Sequence, residues 1–344
     1  MNVIIDPVDD ILYMSFYVYG LTKLFGSNNI CFSPEPFALL STKSRHSKST
    51  RFIIKKDGSE RKYVIHCDDT YSIHEELYNW CDVYGCVNAN YAKTPKKYHQ
   101  KLVSLCPSFA IRCWNLPQTI YHALCNRPND GTSARKFFGK HKRLLQRPKY
   151  SDYSSPDSQF PILNSQYAYV FFLSTLWYSD EWNKNDEGVN LRRAHFIKAC
   201  KELDGVLFEG GLVSQGKERS SEDLFADCLC DSVSMNDWLK KTKHSSLVFN
   251  TPAFWDCHGW KLGEYLAMGK CIVSTSLSNN LPTPLEHGKN IHYVENSQES
   301  IQAAIKYIVS HPDYRKQLEQ GAKSYWDQYG TPEASLRILF QNGK

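Results

Sequence analysis

Long apolar runs are what this 344-residue chain most plainly lacks. No stretch approaches the roughly 20 apolar residues that a bilayer-crossing helix needs, so no membrane span is expected. The start, MNVIIDPVDD, is acidic and has no basic segment leading into an apolar one, so no secretory signal is expected either. Net charge is scarce. Lys and Arg number 41 against 36 Asp and Glu, and the resulting +5 is too mild to demand nucleic acid. Cysteines are present, 12 of them, but paired zinc-ligand spacing is missing; CLC at 228–230 stands alone. Cys31, Cys200 and Cys271 lie inside apolar segments. With no signal for export, the set is expected to be reduced, mostly buried thiols. No repeat at solenoid period and no low-complexity tract occurs. A cytoplasmic protein is expected, with peripheral contact at the inner face of a membrane as the one membrane role left open.

What is there describes a globular chain. Hydrophobic residues make up 42% and charged residues 22%, enough to bury a sizeable core. The length suggests two domains. Aromatics, at 13%, suit large cores or sugar-stacking surfaces. The basic residues are uneven: RKFFGKHKRLLQRPK, Arg135 to Lys149, is dense in them. It reads as a solvated helix face, or as a patch for lipid headgroups or an anionic acceptor. It does not read as a nucleic-acid module, since its aromatics are only Phe137 and Phe138.

The C-terminal half alternates strand and helix. YAYVFFLSTLW (167–177) is a continuous apolar run of the kind covered on both faces. NLRRAHFIKACKEL (190–203) has helical period. GVLFEGG (205–211) reads as a short strand ending in glycines. SMNDWLKKTKHS follows with Ser234 as N-cap, then the strand SLVFNTP, the helix KLGEYLAMG closed by Gly269, and the strands KCIVST and NIHYVE. SIQAAIKYIV is preceded by Asn296 and Glu299 in capping-box spacing, a further helix starts near Asp313, and TPEASLRILF is capped by Thr331 with Pro332 at its first position. The N-terminal half is similar but less regular: NVIID, NNICFS, RFIIKK, KYVIHC and VYGCVNAN as strands, DDILYMSFYVYGLTKLFG and TYSIHEELYNW as helices. The first of those helices reads as core, or as a lipid-contact surface. RPKYSDYSSPDSQFPILNSQ has linker composition. The expectation is an α/β chain of two Rossmann-like domains with parallel sheets facing a central cleft: an acceptor-binding domain over 1–155 and a nucleotide-sugar-binding domain over 156–344, the last helix packing back on the first domain.

In open parallel sheets, ligands bind beyond the carboxyl ends of the strands. The tips there are YSDEWN after Trp177, EGG at 209–211, NTPAFWDCHGW after Phe249, and STSLSNN after Val273. The third is richest and runs into a helix start, where free amides and the helix dipole favour an anion such as diphosphate. Lys261 adds a cation, Gly259 and Gly263 permit close approach, and Glu264 can accept from sugar hydroxyls. His258 and Trp260 sit beside them as an ordinary loop histidine and core aromatic, or as pocket walls. Glu209, Gly210 and Asn250 lie at strand ends, as structure or facing the nucleotide. On the other domain, DPVDD (6–10) and HCDD (66–69) follow strands. Asp9, His66 and Asp68 are helix caps and turn residues, or the general base that an inverting reaction would require.

Asp256, seven intervening residues and Glu264, followed by YLAMGKCIVST and then by LPTPLEHGKNIHYVENSQESIQAAI, resemble the donor-site motif of the GT-B glycosyltransferases of the large "group 1" type. The resemblance covers roughly 245 to 310; over 165 to 215 it rests on the order of elements. It implies that Asp256 contacts the transferred sugar, that Glu264 holds the ribose, and that transfer retains configuration. The partners it implies are a nucleotide sugar, UDP- or GDP-linked, and a glycan or lipid-linked acceptor. No metal and no separate cofactor are expected, because the helix end and Lys261 fill the cation's role. The sequence departs from the family in having Asp256 where Glu is commoner, and CHGWK in place of a Gly-rich turn. The family's Arg…Lys pair is not evident; Arg192 or Arg193 is the available substitute. Removal of Glu264 is expected to abolish turnover and leave stability nearly unchanged. A non-catalytic nucleotide- or glycan-binding subunit of the same fold and a sugar-nucleotide epimerase are the competing readings.

Overall fold

A computed structural model of the chain describes residues 1–8, 10–45, 47–127, 133–154, 167–177, 188–215 and 224–342. The linker-like stretch falls mostly outside these, as do YSDEWN and Asp9. Contacts divide the chain into two units. Unit 1 holds Met1–Asp152, Asn279–Pro284 and Asp327–Lys344; unit 2 holds Tyr153–Ser278 and Leu285–Trp326.

Unit 1 is built on six strands: β1 (Asn2–Ile5), β2 (Ile30–Phe32), β3 (Ser49–Lys56), β4 (Ser59–His66), β5 (Val83–Cys86) and β6 (Leu102–Ser104). Their order is β2-β1-β3-β4-β5-β6. Every pairing is parallel except the two made by β3, which alone runs against the rest. The sheet is therefore mixed rather than purely parallel. The cause is the two-residue turn Asp57-Gly58, both with positive φ (49° and 78°), which folds β3 onto β4 as a hairpin. Asp-Gly between two apolar runs is the local signal for such a turn. Helix α1 (Ile11–Phe25) is capped by the Asp10 carboxylate, which accepts from the Leu12 amide at 3.1 Å. Nine of its fifteen residues are buried, so it is core, as its composition demands. Among the described residues unit 1 also has α2 (Thr42–Arg45), α3 (Glu75–Trp80), α4 (Leu116–Cys125) and α5 (Ala134–Leu145), and α6 (Tyr150–Ser154) runs across the unit boundary.

Unit 2 carries β7 (Ala168–Thr175), β8 (Val206–Val213), β9 (Val248–Asn250), β10 (Ile272–Ser274) and β11 (His292–Tyr293). β7 pairs with β8, and β9, β10 and β11 pair in that order, all parallel. The two ladders abut where the Ser246 amide donates to the Tyr169 carbonyl at 2.7 Å and the Phe171 amide to Ser245 Oγ at 2.8 Å. The strands thus read β8-β7-β9-β10-β11, and the order reverses beside β7. Among the described residues the unit also has helices α7 (Val189–Lys201), α8 (Met235–His244), α9 (Trp260–Ala267), α10 (Gln298–Ser310) and α11 (Pro312–Tyr325), and α12 (Pro332–Gln341) returns the chain to unit 1, where it packs on α1. The core of unit 2 centres on Phe196 and Phe249, stacked at 4.4 Å, with Phe172, Val170, Val273 and Ile305 around them. Each such side chain contributes about 1.5–3 kcal/mol of burial.

Local expectations meet specific outcomes. Ser234 and Thr331 cap their helices through the amides of Asp237 and Ala334. The cap of α10 is Ser297, accepting from the Ser300 amide, not Asn296. All twelve thiols are free; Cys31 is exposed on the edge strand β2, whereas Cys200 and Cys271 are buried. The strand GVLFEGG does not end in its glycines. β8 continues to Val213, and Gly210 and Gly211 lie inside it with φ of 107° and 151°. A Cβ on Gly210 would drive into the Phe172 carbonyl oxygen, and one on Gly211 into that of Cys228. Gly210→Ala is accordingly expected to destabilise by more than about 3 kcal/mol, through backbone displacement at a φ that alanine avoids. Chemical denaturation of the variant checks this.

Candidate functional site

The reversal of strand order beside β7 places a crevice-forming switch at the carboxyl ends of β7 and β9. β9 ends at Asn250, and the chain then traverses Thr251–Gly259 into α9. Two side-chain ties fix the loop's base. Asn250 Nδ2 donates to Ser274 Oγ at 3.0 Å, and the Thr251 and Thr275 hydroxyls meet at 2.9 Å. Asn250 is thereby engaged in joining β9 to β10. The loop closes on itself through the Ala253 amide, which donates to the Cys257 carbonyl at 3.0 Å. At its tip Trp255 and Asp256 both adopt left-handed backbone, with φ of 54° and 59°. Two consecutive L-residues in this region cost about 1–2 kcal/mol each, a strain that clusters at functional positions. Cys257 and His258 are buried beneath the turn. Phe254 lies edge-on to Trp177, their centroids 4.8 Å apart.

Gly259 caps α9 with φ −73° and ψ 159°, values open to any residue, and a Cβ there would meet nothing within 4 Å. Neither backbone nor protein packing calls for glycine at this position. The space beside the Gly259 α-carbon is therefore open, at the end of α9 that carries the positive pole of the helix dipole. Trp260 begins the helix half-buried; Gly263 is buried in its interior.

Lys261 extends from this first turn to the sheet. Its Nζ donates to the Leu173 carbonyl of β7 and lies 5.0 Å from the Phe172 ring centroid. Arg193, from α7, is buried and donates from Nη1 to the Thr175 carbonyl at 2.9 Å, at the last residue of β7. Arg192 reaches the Pro252 carbonyl at 3.5 Å. Among the described residues the hydrogen-bond acceptors of Lys261 and Arg193 are main-chain carbonyls, so two cations share the strand end without a salt bridge. Burial, with the Arg193 charge second and partial relief from Glu264, pushes the Lys261 ammonium down to about 7. Burial likewise lowers Arg193 to about 10. Such a pair lowers its own free energy by accepting an anion. Glu264, one turn further along α9, is buried and accepts from the Tyr153 hydroxyl at 3.2 Å.

The structure thus brings Asp256, His258, Gly259, Trp260, Lys261, Gly263 and Glu264 into one loop and helix start, and adds Arg193. It does not bring Glu209 and Gly210 to the strand end. Glu209 stands opposite Phe171, in mid-strand, where its carboxylate takes the Tyr169 hydroxyl at 2.6 Å and an ion pair from Lys241. The sequence offered Arg193 together with Arg192 as the substitute for the family's missing pair, and the structure separates the two, with Arg193 on the Thr175 carbonyl and Arg192 on that of Pro252. Tyr153 had no signal at all, since it lies in a Ser- and Asp-rich segment.

In unit 1, His66 is the last residue of β4 and is buried, with Nδ1 making no hydrogen bond. Burial, opposed by the Asp68 charge, holds its pKa at about 4, so the ring is neutral at pH 7. Asp68 is half-exposed, 3.1 Å from the Lys48 ammonium. Burial raises its pKa, but the Asp69 amide and Lys48 outweigh it and the net shift is downward. Asp9 lies outside the described residues.

No family model matches the chain, and no curated protein matches it. Among solved structures, it is similar to a glycosyltransferase from Rickettsia africae at 14% identity, over 80% of this chain and 68% of that one, with a TM-score of 0.44. It is similar to the HepE protein of Anabaena in complex with UDP and glucose at 12% identity, over 95% and 94% of the two chains, TM-score 0.43. A structure from Listeria monocytogenes described as a UDP-N-acetylglucosamine 2-epimerase resembles it at 13% identity, over 76% and 68%, TM-score 0.39. The chain is α/β, and its structural neighbours are GT-B glycosyltransferases, with an epimerase beside them.

Proposed function

We propose that this protein is a glycosyltransferase that moves a sugar from a UDP- or GDP-linked donor to a glycan or lipid-linked acceptor, with retention and without a metal. The observation that carries the reading is the pair Lys261 and Arg193. Arg193 is buried and Lys261 partly so, their hydrogen-bond acceptors among the described residues are carbonyls, and the two flank the amino end of a helix at the strand-order reversal. In this reading the α9 amides, Lys261 and Arg193 hold the diphosphate and stabilise it as it departs. Glu264 takes the ribose hydroxyls, Asp256 meets the transferred sugar from the strained turn, and His258, Trp260 and Asn250 line the nucleotide. Acceptor binding falls to unit 1, with Asp9, His66 and Asp68 as its polar groups.

A thermal-shift screen against UDP, GDP, ADP, CMP and dTDP tests the donor site, because a ligand of the folded state raises the melting point by mass action. Turnover of a nucleotide-sugar panel then separates the readings. Nucleotide release that depends on an acceptor supports transfer. Donor conversion with no acceptor identifies an epimerase, and binding without turnover a non-catalytic subunit. Gly259→Ala is expected to change stability by less than about 0.5 kcal/mol, since its Cβ is unopposed, yet to diminish the nucleotide-induced shift. A full shift in that variant would place the diphosphate elsewhere.

A further inference from the structure

Helix α4 carries no charged residue: its sequence is LPQTIYHALC. Its inner side is accounted for. Thr119 and Ala123 are buried, and His122 stacks on Trp114 at 4.0 Å and meets Phe32 at 5.1 Å. Its outer side is apolar instead of polar. Leu116, Ile120 and Leu124, spaced at one helical stripe, are 56%, 51% and 65% exposed, and Tyr121 beside them is 63% exposed. A solvent-facing helix ordinarily places Lys and Glu on that face, and a contiguous exposed apolar surface marks an interaction site.

What lies next to the stripe identifies the occupant. Helix α5 packs against α4 and presents Arg135, Lys136, Lys142 and Arg143 to solvent, while Phe137, His141 and Leu144 turn inward. Lys140 is engaged with Asp10 at 2.7 Å. Between Trp114 and Tyr150 there are eight basic residues and one acidic one, so this segment is more positive than the whole chain at +5, and the remainder is slightly acidic. An uncharged apolar stripe bordered by a cationic face complements a surface with negative headgroups above hydrocarbon.

We propose that the α4–α5 face of unit 1 docks on an anionic lipid bilayer, with Leu116, Ile120, Tyr121 and Leu124 entering the acyl boundary and the α5 cations lying among the headgroups. A second protein chain would need acidic groups arranged around an apolar centre; a bilayer offers both as a continuous sheet. This inference stands apart from the transfer reaction and does not depend on it.

The test is flotation of the full chain with vesicles of phosphatidylcholine alone and of phosphatidylcholine with a third phosphatidylglycerol, at low and high salt. Binding is expected only to the anionic vesicles and to weaken with salt. Lys142→Gln with Arg143→Gln should lower the partition coefficient about fivefold per cation removed. Ile120→Gln with Leu124→Gln should lower it at least tenfold. Because these side chains are exposed, the melting temperature should be unchanged in both variants. Failure to float with either vesicle overturns the proposal, as does equal, salt-insensitive binding to neutral vesicles. So does lipid-free sedimentation in which the parent chain is a dimer and the Ile120, Leu124 variant a monomer, since a second copy would then cover the stripe.

Discussion

Glu264→Gln is expected to lower nucleotide affinity about 10- to 100-fold and to abolish measurable turnover while the fold persists. The carboxylate is buried in the middle of α9, one turn past Lys261, and its Oε1 accepts from the Tyr153 hydroxyl at 3.2 Å. Glutamine keeps an oxygen for Tyr153 and keeps the volume. It removes the charge that would make hydrogen bonds to ribose hydroxyls strong in the proposed site. Glu264→Ala is a poorer probe than the sequence alone indicates. It deletes the buried bond to Tyr153 as well, at a cost of about 1–3 kcal/mol, so the melting temperature is expected to fall with activity. Titration calorimetry with the nucleotide selected by the thermal-shift screen, beside denaturation of both variants, distinguishes the two effects. Glu264→Gln with parental affinity and turnover would end the assignment of Glu264 to the ribose.

Lys261→Met is expected to move stability and binding in opposite directions. A partly buried ammonium whose contacts among the described residues are the Leu173 carbonyl and the Phe172 ring, next to a second cation and only partly relieved by Glu264, is an unfavourable arrangement in the free protein. Replacing a buried charge by an apolar side chain of similar volume stabilises by about 1–4 kcal/mol in comparable cases. The same replacement removes a cation from the proposed diphosphate site, and nucleotide affinity should fall at least about a hundredfold. The pH dependence fixes the sign. The folded-state pKa of about 7 lies below the ordinary lysine value of 10.5. Between them the unfolded chain binds a proton that the folded chain does not, so this group's contribution makes stability rise with pH from about 7 upward. Below about 7 both states are protonated and the desolvation cost is felt in full. Lys270, lowered by burial to about 8, adds a slope of the same sign that starts higher. Hence the gain from Lys261→Met should be greatest at and below pH 7 and vanish toward pH 10. An anion at the site restores the ammonium, so nucleotide binding at pH 8 should take up a proton, read as a dependence of calorimetric heat on the buffer's ionisation enthalpy. Proton-neutral binding, or a stability gain that grows with pH, would contradict this placement of Lys261.

The sequence by itself determined the α/β class, the alternation of elements in unit 2, the capping of α8 and α12, the burial of α1, and the stretch that forms the loop and start of α9. These follow from short-range physics: hydrophobic period, cap chemistry and glycine positions act within a few residues and can be read in order along the chain. The Asp57-Gly58 turn carries a local signal of the same kind, which the expectation of parallel sheets did not use, and it is this turn that reverses β3. Tertiary structure alone decided the rest. That Gly210 and Gly211 are needed for close approach, and not for a strand end, depends on carbonyls from Phe172 and Cys228. That Glu264 answers to Tyr153 depends on a residue 111 positions away. That Lys261 and Arg193 converge on one strand end depends on β7 standing beside β9, and that the α4 stripe faces outward depends on which side Trp114 and Phe32 occupy. Partners distant in sequence leave no periodic trace, because the free energy that unites them comes from burial and desolvation, and these exist only once the chain has packed.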